Sequence, residues 1–275
     1  MQKITADLVQ EWLPIRPAES HKGDYGRVLL IGGHRTMGGA IILAAKGSLY
    51  SGAGLLTVAS DPSNKTALYS HLPEAMFLDL YDQEALIQAV QKNEIILLGP
   101  GLSRGPQEAA IMETVFHHIR PDQTLILDAD GLHHFKKLGL DSPCQNFIIT
   151  PHLGEWQYLT DLAPEEQSLT LNQALASNLG VKLVLKGHRT QIYLRDEIWL
   201  NTCGTPAQAT GGMGDTLAGM IAGFLGQPYQ SADQAILSAV YLHSYIAETL
   251  AEKQYVVLPS QISEQIPYYL KQGSH

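Results

Sequence analysis

Residues 27–59 read R-V-L-L-I-G-G-H-R-T-M-G-G-A-I-I-L-A-A-K-G-S-L-Y-S-G-A-G-L-L-T-V-A. A short apolar run ends in two glycines, small and apolar residues follow at helical spacing over 39–51, and a second apolar run occupies 55–59. Strand, helix, strand is the pattern of a βαβ unit. The rhythm continues outward. Apolar runs bounded by Gly, Pro, Asp or Lys recur at 95–98, 124–127, 147–149 and 181–185, with helical patterns at 83–91, 107–119 and 165–179 between them. Such alternation predicts an α/β fold with a mainly parallel sheet covered by helices on both faces. The rhythm breaks at 190–200, where Q-I-Y-L-R-D-E-I-W-L predicts a hairpin turning at Arg195-Asp196-Glu197. Helical stretches at 215–225 and 231–252 follow, and 259–271 is helical in character before a short polar tail expected to be mobile. No linker, repeat or shift in composition divides the chain, so residues 1–275 are read as one domain.

Composition narrows the function. With 45% hydrophobic and 16% charged residues the chain is not disordered, and 275 residues can bury a large core. A net charge of −9 with 18 spread Lys and Arg argues against a nucleic-acid partner. Cys144 and Cys203 are too few for a disulfide framework and are read as buried or half-buried thiols. The N-terminus lacks the apolar core of a signal peptide, and no apolar run is long enough to span a bilayer, which points to the cytoplasm and no membrane partner.

The chemistry concentrates where strands end. In open α/β sheets the site lies beyond the carboxyl ends of the strands. Here those ends carry G-P-G-L (99–102), D-A-D-G-L (128–132), T-P-H-L-G-E (150–155) and K-G-H-R-T (186–190). Each has a plainer use as well: Gly99 and Gly101 in a tight turn, Asp128 or Asp130 as a helix cap, Lys186-Gly187 as a hairpin corner. Their occurrence together favours a site. The remaining part is T-P-A-Q-A-T-G-G-M-G-D-T-L-A-G-M-I-A-G (205–223), a glycine-rich loop leading into an apolar helix. Backbone N–H groups and a helix N-terminus attract an anion such as phosphate. A carboxylate aimed at a phosphate would repel it, so Asp215 is read as facing the group to be phosphorylated and accepting its proton. Near a helix N-terminus it is expected to stay ionised.

The common nucleotide motifs are absent. Nothing matches G-x-x-x-x-G-K-[ST], and 99–105 is one residue too long for G-x-G-x-x-G. There is no G-x-S-x-G elbow. The pairs His117-His118 and His133-His134 lack partners at metal-ligand spacing and are read as exposed or half-buried.

A-T-G-G-M-G-D-T-L-A-G-M-I-A-G (209–223), preceded by N-T-C-G-T-P, closely resembles the signature loop of the ADP/ATP-dependent NAD(P)H-hydrate dehydratases, a branch of the ribokinase-like superfamily. The likeness is collinear over about residues 22–226: G-R-V-L-L-I-G-G, the glycine-rich run 38–59, L-G-P-G-L, L-D-A-D-G-L, T-P-H-L-G-E and L-K-G-H-R-T occur in the family's order. His152 stands where the wider superfamily commonly has Asn, which resembles the dehydratase branch.

The resemblance implies a ribokinase-like three-layer fold and a repair reaction. Such enzymes phosphorylate the hydroxyl of hydrated NADH or NADPH from ADP or ATP, and loss of phosphate restores the reduced cofactor. It implies Asp215 as base and Gly211, Gly212, Met213 and Gly214 as the phosphate loop. Lys186, Gly187, His188, Arg189, Thr190 and Gly214 would bind the nucleotide. Ala40, Gly101, His152 and Asp215 would bind the hydrate, and Glu155 would help hold Mg²⁺ through water. Stand-alone members typically use ADP, assemble as homotetramers and work beside an NAD(P)H-hydrate epimerase. Only about 21 residues precede the first matching block, so that epimerase is expected to be a separate chain. The apolar stretch 235–250 is a candidate subunit interface. The competing reading is a kinase of a vitamin-type alcohol such as hydroxyethylthiazole or pyridoxine.

Overall fold

Among the described residues ten strands make one sheet: β1 Gln2–Lys3, β2 Arg27–Ile31, β3 Leu55–Ser60, β4 Met76–Asp79, β5 Ile95–Leu98, β6 Thr124–Leu127, β7 Asn146–Ile149, β8 Lys182–Leu185, β9 Gln191–Tyr193 and β10 Ile198–Leu200. The structure is a computed structural model and describes residues 1–273. The strand order is β1-β10-β9-β8-β7-β6-β5-β2-β3-β4. Strands β2 to β8 pair in parallel, whereas β9 is antiparallel to both β8 and β10. The antiparallel pair is the hairpin expected around Arg195-Asp196-Glu197.

Among the described residues eleven α-helices flank the sheet: α1 Ala6–Trp12, α2 Gly38–Tyr50, α3 Lys65–His71, α4 Gln83–Lys92, α5 Pro106–His118, α6 Asp130–Leu138, α7 Leu153–Thr160, α8 Leu169–Asn178, α9 Met213–Leu225, α10 Ala232–Ala251 and α11 Pro259–Gly273. Because successive side chains of a strand point to opposite faces, each strand feeds two cores. Val28, Leu30, Leu97, Ile126, Ile148 and Val184 pack under α1, α2, α9, α10 and α11. Leu29, Ile31, Leu98, Leu127, Ile149 and Leu183 pack under α4, α5, α6, α7 and α8. The result is the expected helix–sheet–helix sandwich.

The helices α2 and α9 form the closest packing in the first core. A Cβ placed at Gly219 would lie 2.0 Å from the Ala44 carbonyl oxygen, so only glycine lets the backbones meet. Gly219→Ala is expected to force the helices apart and destabilise the protein by about 3 kcal/mol, read as a lower denaturation midpoint. An unchanged midpoint would show that the interface yields.

The structure also corrects several expectations. The helix predicted over 165–179 is divided: Pro164–Glu166 form a 3-10 turn, and Ser168 restarts the chain by accepting a hydrogen bond from the Leu171 N–H as the cap of α8. The apolar run 235–250 spends its apolar face inside the protomer, where Ile236, Leu237, Ala239, Val240, Leu242, Ile246 and Ala247 are buried against the first core. It therefore offers no broad apolar interface. His117 and His118 lie at the surface or half-buried as expected, but His134 is fully buried, its Nε2 2.9 Å from the Ser103 carbonyl oxygen. Cys144 is buried and Cys203 half-buried, both as free thiols. No helix among the described residues is long and apolar enough to cross a membrane. The tail expected beyond residue 271 is helical through Gly273, and its last two residues lie outside the described range.

Candidate active site

The glycine-rich loop enters α9 through a backbone conformation that needs glycine. Gly212, the N-cap, has φ +91°, and a Cβ there would lie 2.4 Å from Leu43 Cδ1. The first intrahelical bond runs from the Thr216 N–H to the Gly212 carbonyl at 3.0 Å. The N–H groups of Met213, Gly214 and Asp215 thus have no intrahelical acceptor, which is what an anion at a helix N-terminus requires.

Lys186 supplies the positive charge. It follows β8, and its N–H donates to the Pro151 carbonyl at 2.8 Å, tying it to the end of β7. Its Nζ lies 2.6 Å from Asp128 Oδ1 and 3.9 Å from Glu155 Oε2. A Cβ on Gly214 would sit 3.1 Å from the same Nζ, so the ammonium rests against the first turn of α9. Burial favours the neutral amine, but the carboxylates of Asp128, Glu155 and Asp215 outweigh it and raise the Lys186 pKa. The charge is permanent at physiological pH.

Asp215 completes the group on that first turn. Burial, then the nearby Asp128 carboxylate, push its pKa up to about 6, with Lys186 pulling the other way and Glu155 and Asp130 adding to the rise. Asp215 thus stays mostly ionised at neutral pH, as expected, but with a proton affinity raised well above that of a free carboxylate. Desolvation and neighbouring acids win, and they give a base whose strength is matched to neutral pH. Activity that needs ionised Asp215 is expected to fall about tenfold per pH unit below about 6. A rate profile flat down to pH 4 would contradict this.

Asp128 was legible only as one of two acids in D-A-D. Ala129 between them has φ +50°, a strained conformation for a residue with a side chain. The turn sends Asp128 inward, only 1% exposed, to Lys186 and to the Thr150 hydroxyl, which donates to Oδ1 at 2.8 Å. It sends Asp130 to the Arg104 guanidinium at 2.7 Å and the Ser103 N–H at 2.9 Å. Neither acid caps α6 through its side chain, whose N-cap is Ala129.

His152 and Glu155 form a reciprocal cap on α7. The Gly154 and Glu155 N–H groups donate to His152 Nδ1 at 3.0 and 3.2 Å, and the His152 N–H donates to Glu155 Oε2 at 2.8 Å. With Nδ1 accepting, a neutral ring carries its proton on Nε2, which lies 3.6 Å from Glu155 Oε1. His152 orients the loop and is exposed enough to meet a ligand as well. No cluster of three or more His, Cys, Asp or Glu suited to a metal exists among the described residues. Asp128 is committed to Lys186. Glu155 lies farther from the same ammonium, at 3.9 Å, and Mg²⁺ tolerates sparse protein ligands when waters and phosphates fill the rest of its shell.

A cavity of about 520 Å³ opens beside these parts, without Asp128, Glu155 or Asp215 in its walls. Its walls include all five residues Lys186, Gly187, His188, Arg189 and Thr190, together with His152, Met213, Gly214, Pro206, Leu217 and His243. Ala40 and Gly101 do not line it. They meet each other where β2 and β5 diverge: Gly101 packs against Met37 and Ala40, and the Gly33 N–H donates to the Pro100 carbonyl at 2.9 Å. This is the point where the strand order reverses, the favoured ligand crevice of open α/β sheets. A larger cavity of about 660 Å³, bounded by Arg16, Gly52 and Gln227, lies toward the amino ends of β3 and β4. We place the chemistry at the mouth of the smaller one: the permanent charge of Lys186 and the first residues of α9, Met213 and Gly214, line it, and Asp215 follows them on the same helical turn.

Parallel sheet, two helical layers and a Gly-Asp loop at a helix N-terminus define a ribokinase-like fold. A solved ribokinase-like protein from Enterococcus faecalis superposes with a TM-score of 0.97 at 40% identity, covering 99% of this chain and 96% of that one. Residues 28–268 match the family model described as NAD(P)H-hydrate dehydratase, and the chain belongs to that family. It is 46% identical over 274 residues to the ADP-dependent (S)-NAD(P)H-hydrate dehydratase of Lactiplantibacillus plantarum, covering 100% of this chain and 98% of the relative. The ADP/ATP-dependent NAD(P)H-hydrate dehydratase of Bacillus subtilis, co-crystallised with ATP and Mg²⁺, superposes at TM-score 0.87 with 33% identity over 98% of both chains. Hydroxyethylthiazole kinase from Pyrococcus horikoshii, at 12% identity and TM-score 0.63, shares the fold alone.

Proposed function

We propose that this chain dehydrates the S form of hydrated NADH and NADPH at the expense of ADP, or of ATP. The observation that carries the reading is the meeting of Asp215, three unpaired helix N–H groups and the Lys186 ammonium beside a cavity walled by residues 186–190. The ring hydroxyl of the hydrate attacks the terminal phosphorus of the nucleotide as Asp215 takes its proton. AMP leaves when ADP is the donor. The N–H groups of Met213 to Asp215 and Lys186 stabilise the charge on the phosphoryl group in flight, and loss of one such donor typically costs about 3 kcal/mol. The phosphate then departs with the electrons of the C–O bond, a ring proton is lost, and the double bond of the reduced nicotinamide returns.

Lys186, Gly187, His188, Arg189, Thr190 and Gly214 are assigned to the nucleotide. Ala40, Gly101 and His152 are assigned to the hydrate, with His152 offering its Nε2–H. Mg²⁺, held by Glu155 through water and by the phosphates, would offset the negative charge of the nucleotide. One sheet running from residue 2 to residue 200, with both cores continuous beneath it, supports treating 1–275 as a single catalytic domain. A cytoplasmic homotetramer working beside a separate epimerase is the setting that the family resemblance supports.

The test mixes hydrated NADH with ADP, and separately with ATP. Recovery of the reduced-nicotinamide absorbance, with one phosphate released per NADH, is the expected result. A stable phosphorylated product would favour the small-alcohol kinase reading instead. Nucleotide binding without turnover would overturn both.

A further inference from the structure

Of His117, His118, His133 and His134, only His134 is fully buried, and the proposed chemistry makes no use of it. It sits on α6 one turn after Asp130, so the two side chains leave the helix on the same side. Both reach Ser103. His134 Nε2 lies 2.9 Å from the Ser103 carbonyl oxygen, and Asp130 Oδ2 accepts from the Ser103 N–H at 2.9 Å. A carbonyl can only accept, so Nε2 carries the ring proton and donates it. Through its other oxygen Asp130 accepts from Arg104 Nε at 2.7 Å.

Two features show that this clamp does more than fill the core. His134 Nδ1 is buried without a hydrogen-bond partner among the described residues, which costs on the order of 1–3 kcal/mol; a leucine in its place would carry no such cost. Ser103 has φ +79°, the left-handed region that a residue with a side chain rarely takes. Strain of this kind persists only where the surroundings over-determine it, and it concentrates at functional sites. Here α6 holds both the N–H and the C=O of the strained residue.

The clamped segment is one wall of the crevice assigned to the hydrate. Residues 99–103 leave β5 in tight turns: the Leu102 N–H donates to the Gly99 carbonyl at 3.0 Å, and Gly101, at φ +59°, packs on Met37 and Ala40. On the side of α2, the Gly33 and His34 N–H groups donate to the carbonyls of Pro100 and Gly101 at 2.9 and 2.6 Å. On the side of α6, Asp130 and His134 fix the chain two residues later. Resting on the assignment of Gly101 to the hydrate, we infer that His134, with Asp130, is a positioning residue for that substrate: by holding Ser103 in its left-handed turn, it sets where the Gly101 backbone stands against Ala40. Without the hold Ser103 relaxes towards negative φ, and the chain changes direction directly after Gly101-Leu102. The nucleotide cavity, walled by residues 186–190, the loop 203–209 and helices α9 and α10, is built elsewhere.

Steady-state kinetics on hydrated NADH, with calorimetric titration of ADP alongside, test this. His134→Leu is expected to raise KM for the hydrate about 10-fold, with kcat and ADP affinity each within about 2-fold of wild type. His134→Gln, whose amide N–H can still donate to the Ser103 carbonyl, should recover most of that loss. Glycine takes φ +79° freely, so on a Ser103→Gly background the His134→Leu change should raise KM by about 3-fold or less. Should His134→Leu fail to fold, Ser103→Val leaves α6 intact, makes the same turn harder to hold and should raise KM by itself. An unchanged KM in His134→Leu, or in Ser103→Val where the first does not fold, would overturn the inference. So would a KM raised equally by His134→Gln, which would leave His134 a filler of space, and so would ADP affinity falling in step with KM. The dehydratase reading survives each of these outcomes; it would fail instead through a wild type that does not turn over hydrated NADH with ADP or ATP.

Discussion

Asp215→Asn is expected to lower turnover by about 10³-fold or more while leaving nucleotide affinity nearly unchanged and making the protein more stable at neutral pH. The kinetic part follows from placement: Asn keeps the shape of the side chain but cannot take the proton of the attacking hydroxyl. The stability part follows from the direction in which folding moves the pKa. In the folded state the Asp215 pKa is raised from 3.8 to about 6. A carboxyl group raised on folding holds its proton longer in the native state, so stability is lost as pH rises from 3.8 through about 6. Above that window the ionised, half-buried carboxylate costs roughly 2–3 kcal/mol, because each tenfold change in proton affinity is worth about 1.4 kcal/mol. Asn does not titrate and escapes this cost. Denaturation followed by pH should show the variant gaining most above pH 6 and nothing near pH 4. A variant no more stable than wild type at pH 8 would mean that Asp215 ionises like a surface carboxylate.

Lys186→Ala is expected to destabilise the protein by about 3–5 kcal/mol and to weaken ADP and ATP together. The cause lies in Asp128, 1% exposed, whose charge is met by the Lys186 ammonium at 2.6 Å and by one hydroxyl. Removing the ammonium strands that charge, and it is the stranded carboxylate that costs most. The double change Lys186→Met with Asp128→Asn should therefore recover most of the stability without recovering nucleotide affinity. Such a split separates the structural role of the pair from the anion-binding role of the lysine. Unchanged nucleotide affinity in either variant would remove Lys186 from the phosphate site. Residual activity of the single variant should also move to higher pH, because Lys186 is the group that pulls the Asp215 pKa down.

How much of this was legible in sequence depended on how local the cause was. Strands β5 and β6 stand at the residues expected, because four consecutive buried apolar residues between turn signals admit few other readings. Strand β4 went unread: it is an edge strand with exposed and half-buried residues, and M-F-L-D carries neither clean alternation nor an apolar run. Helix α7 was hidden inside T-P-H-L-G-E, where His152 and Glu155 read as chemistry and are also its cap. The split of 165–179 turned on Ser168 choosing to cap rather than to lie inside a helix.

For the site, residue types at strand ends were visible and their pairing was not. Nothing local distinguishes Asp128 from Asp130; the backbone twist at Ala129 and the arrival of Lys186 from β8 do so. The basicity of Asp215 has the same origin, since it depends on burial and on an acid 87 positions away in the chain.

The central claim is that water leaves the hydrated cofactor as phosphate, through an oxygen that Asp215 has deprotonated. Hydrated NADH carrying oxygen-18 in its ring hydroxyl tests it most directly when incubated with the enzyme and ADP in ordinary water. The label is expected to appear in the released phosphate, one atom per NADH recovered. Label found in bulk water, with phosphate that has taken its new oxygen from the solvent, would contradict it.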